Sequence, residues 1–411
     1  MAMSTPENIV IIGGGLAGAK TAEALRDKGY QGSVTLVAEE DHLPYERPPL
    51  SKEYLAGKAK FEDAVVHPAD WYEEKNVTLK QGTRATKVDT KDHQVTLADG
   101  STLPYDKLVL ATGSTVRKLP IPGADADNVF YLRTVENSDA LRETFGKDKK
   151  LVIIGGGWIG LETAAAARGA DTDVTLLEGA KLPLYKILGD EVAQVFADLH
   201  SDNGVDLRTD VKVSEIVTEN GRAVGVRLED GTTIDADNVA IGVGVAPATE
   251  LAEDAGLDVD NGVLVDGSLQ TSNPDVYAVG DIANHDHSVL GHRIRVEHWA
   301  NALNQPAAAA AALLGQDDSG YTNLPYFFSD QYDLGLEYVG HATGSEDKVV
   351  IRGDLDKREF VAFWVNSKNH ILAAMNVNVW DVPDKIKPLI AEGKKVDLEQ
   401  LANPNVPYSQ L

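Results

Sequence analysis

The run VIIGGG occurs twice, at Val10–Gly15 and at Val152–Gly157, and each copy continues into an alanine-rich stretch and then a β-branched run, VTLVAEE at Val34–Glu40 and VTLLEG at Val174–Gly179. This is strand, glycine turn, helix, strand, written twice. The parallel goes further. LADGSTLPYDKLVLATG closes at Gly113 and LEDGTTIDADNVAIGVG closes at Gly244, each reading as a hairpin, a buried strand and a glycine stop. A chain repeated in this way is expected to build two domains of one α/β plan.

The glycine spacing has a physical reason. In Gly13, Gly15 and Gly18, and again in Gly155, Gly157 and Gly160, the pattern allows a tight turn, close backbone approach to a pyrophosphate, and close packing of helix on strand. The helix N-terminus that follows offers N–H groups and a positive dipole end to phosphate. Glu39 and Glu178 stand 21 and 18 residues beyond Gly18 and Gly160, where a carboxylate can accept hydrogen bonds from ribose hydroxyls. Both copies therefore predict an adenosine dinucleotide.

Composition narrows the chemistry. With 411 residues, two to four domains are expected. The formal charge of −26 disfavours nucleic acid and anionic lipid as partners. No apolar run approaches the roughly 20 residues of a membrane span, and MAMSTPEN lacks the features of a secretory signal; a cytoplasmic protein with no membrane association is expected. There is no cysteine, which excludes disulfides, thiolate metal sites and any thiol redox relay. His285 and His287 stand close together without a carboxylate at metal-ligand spacing, so no metal is predicted.

Near the C-terminal part of the repeat, VYAVGDIA places Asp281 directly after a buried strand and a glycine. A carboxylate there suits the hydroxyls of a ribityl chain, although the same residue could cap a helix. ATG at Ala111–Gly113 reads as a crossing between domains, and the alanines of Ala307–Ala312 as a closely packed helix.

On these residues the chain resembles the two-dinucleotide flavoprotein reductases of the glutathione-reductase fold, and within them the NADH-dependent ferredoxin reductases that serve Rieske oxygenases and bacterial cytochromes P450. The resemblance runs through IIGGGLAGAKTA, RPPLSKEYL at Arg47–Leu55, LVLATGS, VIIGGGWIGLE, AVGD, EHWANA at Glu297–Ala302 and FFSDQY at Phe327–Tyr332. PPLSK and SDQY are its specific parts. It implies two Rossmann-like dinucleotide-binding domains plus a C-terminal α/β domain: FAD domain 1–115 and 245–320, NAD domain 116–244, interface domain 321–411.

The resemblance also implies roles. Lys52 matches a lysine near the flavin N5 edge, and Glu162 a glutamate able to pair with it; a purely structural salt bridge is the alternative. Trp299 matches a position beside the flavin ring. Arg47, Ala111, Thr112, Gly113, Gly244, Asp281, Glu297 and His298 join the glycines, Glu39 and Glu178 as implied cofactor contacts. Trp158 stands where relatives carry an aromatic that gates the nicotinamide, or it packs on an interface. Phe328 departs from relatives that place a tryptophan there.

The expected reaction is hydride transfer from NADH to FAD, followed by single-electron delivery to a small ferredoxin, 2Fe-2S by the resemblance. Glu178 should favour NADH, since a 2′-phosphate would be repelled, with Lys181 the one cation close to it in sequence. A rubredoxin acceptor, or an NADH-sensing flavoprotein with slow electron transfer, stays open, as does monomer against homodimer. Arg293, Arg295, Lys385, Lys387, Lys394 and Lys395 are possible members of a basic ferredoxin-facing patch.

Overall fold

The computed structural model describes residues 6–317, 319–343 and 348–411. By its contacts the chain divides into two compact units. The first comprises the chain up to Glu46, Glu62–Thr115 and Ala246–Tyr326; the second comprises Arg47–Phe61, Val116–Val245 and Phe327–Leu411.

In the first unit, the strands Val276–Ala278, Lys107–Leu110, Asn8–Ile12, Ser33–Val37 and Val77–Lys80 lie side by side in that order, all parallel. Ile9, Ile11, Leu36, Leu108 and Val109 are almost wholly buried, as expected of strands covered on both faces. The helices Leu16–Asp27 and Trp299–Leu313 pack on each other. The expected alanine helix is therefore present, and it is longer than the alanine run itself. The hairpin strands Gln94–Leu97 and Thr102–Pro104 precede Lys107–Leu110, as the sequence indicated.

The second unit repeats the plan. Its parallel sheet runs Asp206–Arg208, Asp173–Leu177, Lys150–Ile154, Asn238–Ile241, Val129–Phe130. In each sheet the glycine-turn strand is central, flanked by the strand that ends beside the acidic residue and by the strand that ends at the second glycine stop. This unit also holds a five-stranded sheet, in the order Tyr326–Gln331, Leu334–Gly340, Ile371–Val377, Glu359–Val365, Lys348–Asp354. Its last four strands pair antiparallel, and the helix Pro383–Ala391 packs on two of them. The fold is α/β, with two Rossmann-like sheets and an added C-terminal sheet.

Arg47–Phe61, within the 1–115 span, sorts with the second unit. The reason is local bonding: Ser138 Oγ donates to the Leu50 carbonyl at 2.8 Å, Arg142 to the Tyr54 carbonyl at 3.1 Å, and Leu55 is fully buried in the second unit's core. Among the described residues, no helix is long and apolar enough to cross a membrane.

Candidate functional site

The first cradle shows a separate reason for each glycine. Gly13 has φ +121°, and a Cβ on it would lie 2.1 Å from the Ala111 carbonyl oxygen; a Cβ on Gly18 would lie 1.9 Å from the Gly13 oxygen. Those two are needed for close packing. Gly15 differs: a Cβ there would meet nothing within 4 Å. It opens the helix Leu16–Asp27 with no side-chain cap, so a helix N-terminus faces open space, which is what a phosphate needs.

The neighbours are held in place. Thr112 Oγ1 donates to the Ala248 carbonyl at 2.8 Å, and Gly113 follows with φ +69°. Gly280, at φ +79°, donates its N–H to Gln305 Oε1 at 2.7 Å, which fixes the turn that presents Asp281. Arg295 pairs with Glu297 at 2.7 Å, His298 stands at the start of the helix Trp299–Leu313, and Trp299 Nε1 donates to Glu46 Oε2 at 2.9 Å. Glu39 is exposed, 3.5 Å from Arg84. All these residues belong to the first unit.

The second cradle is built alike. A Cβ on Gly155 (φ +109°) would lie 2.3 Å from the Gly242 oxygen, one on Gly160 2.0 Å from the Gly155 oxygen, and one on Gly157 would meet nothing within 4 Å. The helix Trp158–Gly169 again starts without a side-chain cap. Glu178 accepts from the N–H groups of Gly156 and Ala180, both at 2.7 Å. Lys181 is engaged elsewhere, paired with Asp190 and 4.4 Å from the Tyr185 ring centroid. Gly244, at φ +97°, accepts from the Arg117 N–H at 2.9 Å. Trp158 packs edge-on to Phe196 and Phe327, with ring centroids 5.5 and 5.2 Å away.

Also in the second unit, Lys52 Nζ lies 2.9 Å from Glu162 Oε1, with the two side chains 8% and 2% exposed. Such a pair survives burial only when its remaining hydrogen-bonding capacity is met. Here Ser51 Oγ donates to Glu162 Oε2 at 2.5 Å and Ser329 Oγ to Oε1 at 2.6 Å. The ammonium also sits 5.4 Å from the centroid of Phe328, within cation–π range. Burial pushes the Asp330 carboxyl up, partly offset by Lys52. Arg47 donates to the Arg133 carbonyl at 2.6 Å.

Residues 7–306 match the pyridine nucleotide-disulphide oxidoreductase family, and residues 326–411 the reductase C-terminal family. The chain belongs to the pyridine nucleotide-disulphide oxidoreductase family. It is 39% identical to putidaredoxin reductase of Pseudomonas putida, covering all of this chain and 97% of that protein. It is equally 39% identical to the ferredoxin–NAD(+) reductase component of an anthranilate 1,2-dioxygenase system of Burkholderia cepacia, covering 97% of each. The structure superposes on the reductase of a covalent putidaredoxin reductase–putidaredoxin complex with a TM-score of 0.95 at 38% identity, covering 99% and 98% of the two chains.

Within the pyridine nucleotide-disulphide oxidoreductases, this member has no cysteine and so carries no redox disulfide of its own. Within the suggested basic patch, Arg295 is paired and its side chain largely buried, whereas Arg293 stays exposed. Arg293 Nη1 donates to the carbonyls of Val265 and Asn284, and the Arg295 side chain is 8% exposed and bonded to Asp281 O and Glu297. Both brace the loop before EHWANA. Lys387 is paired with Asp384, while Lys394 and Lys395 are exposed. Sequence reasoning missed Glu46, Gln305, Ser51 and Ser329. The two serines lay inside the quoted motifs PPLSK and SDQY, but nothing in their spacing said that both would reach one carboxylate.

Proposed function

We propose that this chain is a cytoplasmic, NADH-dependent flavoprotein ferredoxin reductase that feeds electrons to a small iron–sulfur ferredoxin, 2Fe-2S in type, of a P450 or Rieske oxygenase system. The observation that carries the reading is the pair of open glycine cradles in a chain without cysteine. The names of its relatives, putidaredoxin reductase and a dioxygenase ferredoxin–NAD(+) reductase component, support the same acceptor class.

In this reading residues 1–115 and 245–320 carry FAD, 116–244 carry NADH and 321–411 serve the protein partner. Gly13, Gly15 and Gly18 would cradle the FAD pyrophosphate, with Glu39, Ala111–Gly113, Asp281, Glu297, His298 and Trp299 holding the rest, joined by Arg47 and Lys52. Gly155, Gly157, Gly160, Glu178 and Gly244 would hold NADH. Bound FAD supplies the redox chemistry, accepting hydride from NADH and releasing electrons singly.

The chain's own residues bind and orient. Glu178, fixed by two backbone N–H bonds, keeps lone pairs for two ribose hydroxyls and repels a 2′-phosphate. Lys181, the neighbouring cation, is paired with Asp190 instead. Glu162 holds the Lys52 ammonium in one place, and Trp299 is anchored by Glu46 so that its ring has one orientation.

The test is direct. Purified protein should be yellow, bleach under anaerobic NADH, and reduce cytochrome c only when a 2Fe-2S ferredoxin is added. Protein that stays colourless after incubation with FAD would end the reading. Turnover indifferent to ferredoxin would replace it with an NADH-sensing flavoprotein.

A further inference from the structure

The Lys52–Glu162 pair is the end of a longer buried arrangement. Behind Ser329 lies Gln331, whose Nε2 is 3.2 Å from Ser329 Oγ; behind Gln331 lies His200, with Nε2 2.9 Å from Gln331 Oε1; and the Tyr332 hydroxyl is 3.2 Å from His200 Nδ1. Ser329, Gln331 and His200 are buried. They come from the helix Asp190–Asp202 and the strand Tyr326–Gln331, far apart in sequence.

The chemistry of the donors fixes the direction of every bond. Ser329 has one proton, and a carboxylate oxygen 2.6 Å away takes it. Only an N–H can then face the Ser329 oxygen, so Gln331 must present Nε2 to Ser329 and Oε1 to His200. His200 must carry its proton on Nε2, which leaves Nδ1 to accept from Tyr332. Burial pushes the His200 imidazole down to about 4, so the ring stays neutral near pH 7. Every hydrogen in the series therefore points toward Glu162. The carbon-bound amide of Gln331 cannot pass on a proton as a hydroxyl or imidazole would, so the series polarises and does not conduct.

We propose that Ser329, Gln331 and His200 are positioning residues: a one-way series of hydrogen-bond donors, anchored by Tyr332, that fixes the Glu162 carboxylate and through it the Lys52 ammonium. The importance of this for hydride transfer rests on the function proposed above; the arrangement itself does not. Asp330 lies close enough to feel the charges of both Lys52 and Glu162, so the donors set the orientation of the pair beside a further carboxyl group.

Three variants test it: Ser329→Ala, Ser329→Thr and Gln331→Met. Two readouts need no flavin. Nitrogen-15 NMR of His200 should show the Nε2–H tautomer in the wild type and a mixture in Gln331→Met. Acetic anhydride labelling of Lys52, read by mass spectrometry, should rise several-fold in Ser329→Ala and Gln331→Met and stay low in Ser329→Thr, which keeps the hydroxyl. In flavin-loaded protein, rapid mixing with NADH should show bleaching slowed about tenfold in Ser329→Ala, the scale of one lost hydrogen bond to a charged group, and by a smaller factor in Gln331→Met, which loses a neutral bond to the Ser329 hydroxyl. NADH affinity should hold, and Ser329→Thr should restore the rate. A merely structural role would lower thermal stability in all three variants alike and leave Lys52 labelling unchanged. Wild-type His200 protonated on Nδ1, or equal Lys52 labelling in Ser329→Ala and Ser329→Thr, would overturn the proposal. Failure of NADH to bleach the wild type would instead remove the proposed function, with the tautomer and the labelling still deciding the donor series.

Discussion

Glu178 takes in the second cradle the place that Ala38 takes in the first. A Cβ on Gly156 would meet Glu178 Oε2 at 2.9 Å, and a Cβ on Gly14 would meet the Ala38 Cβ at 2.3 Å. The acidic residue of the first copy, Glu39, follows one position later and is exposed. The two cradles thus share a backbone and differ in where they put their negative charge.

From this follows a test of coenzyme choice. Glu178→Ala removes both the acceptor for ribose and the charge that repels a 2′-phosphate. The ratio of kcat/KM for NADH over NADPH should fall by about one to two orders of magnitude. Steady-state rates with each coenzyme measure it; an unchanged ratio would mean that selectivity lies elsewhere.

The glycines separate packing from binding. Gly13→Ala forces a methyl against the Ala111 carbonyl in a backbone region that disfavours side chains, and should cost about 2 kcal/mol or more of stability. Gly15→Ala adds a methyl in open space with φ −87°, so stability should stay within about 0.5 kcal/mol while FAD content drops. Gly157→Ala should spare FAD and weaken NADH binding. Urea unfolding of the apoprotein, flavin content and coenzyme titration read these three effects apart.

Lys52→Met strands a carboxylate that is 2% exposed. It should destabilise the protein by about 3 kcal/mol, at the lower end for a broken buried pair because two serines still donate to Glu162. The double change Lys52→Met with Glu162→Gln should recover much of that loss. Chemical denaturation of the four proteins in the cycle gives the coupling; additive losses would show that the pair is not a unit.

The pH dependence of stability has a defined sign. Burial, aided by His287 and Arg293, pushes the fully buried His285 down to about 3 from its ordinary 6.5. Unfolded chain then takes up a proton that the native state refuses, so stability is intact above pH 6.5 and is lost as pH falls from 6.5 toward 3. At pH 4.5 the loss from this one residue is about 2 to 3 kcal/mol. His285→Leu should flatten the stability profile between pH 6.5 and 4.5; an unchanged slope would place the titration on other groups.

How much of this could be read in advance depends on how local each feature is. The glycine turns, their strands and helices, the acidic residues after the second strand, and the hairpin before each glycine stop were all legible, because each depends on residues within a few positions of one another and on periodicity. The Lys52–Glu162 pair came only from the resemblance, since 110 positions separate its members. That Arg47–Phe61 packs with the second unit, that Arg293 and Arg295 brace a loop, and that Trp299 is anchored by Glu46 were not legible at all.

The sequence alone thus determined the repeated α/β plan and, through the absence of cysteine, the classes of chemistry open to the chain. Tertiary structure alone decided how the buried charge of Glu162 is satisfied. Its donors come from the turn after Arg47 and from the first strand of the C-terminal sheet, with a helix between them in sequence joining at two removes. A buried carboxylate must gather partners wherever the folded chain brings them, and no spacing rule connects residues that meet only across a packed core.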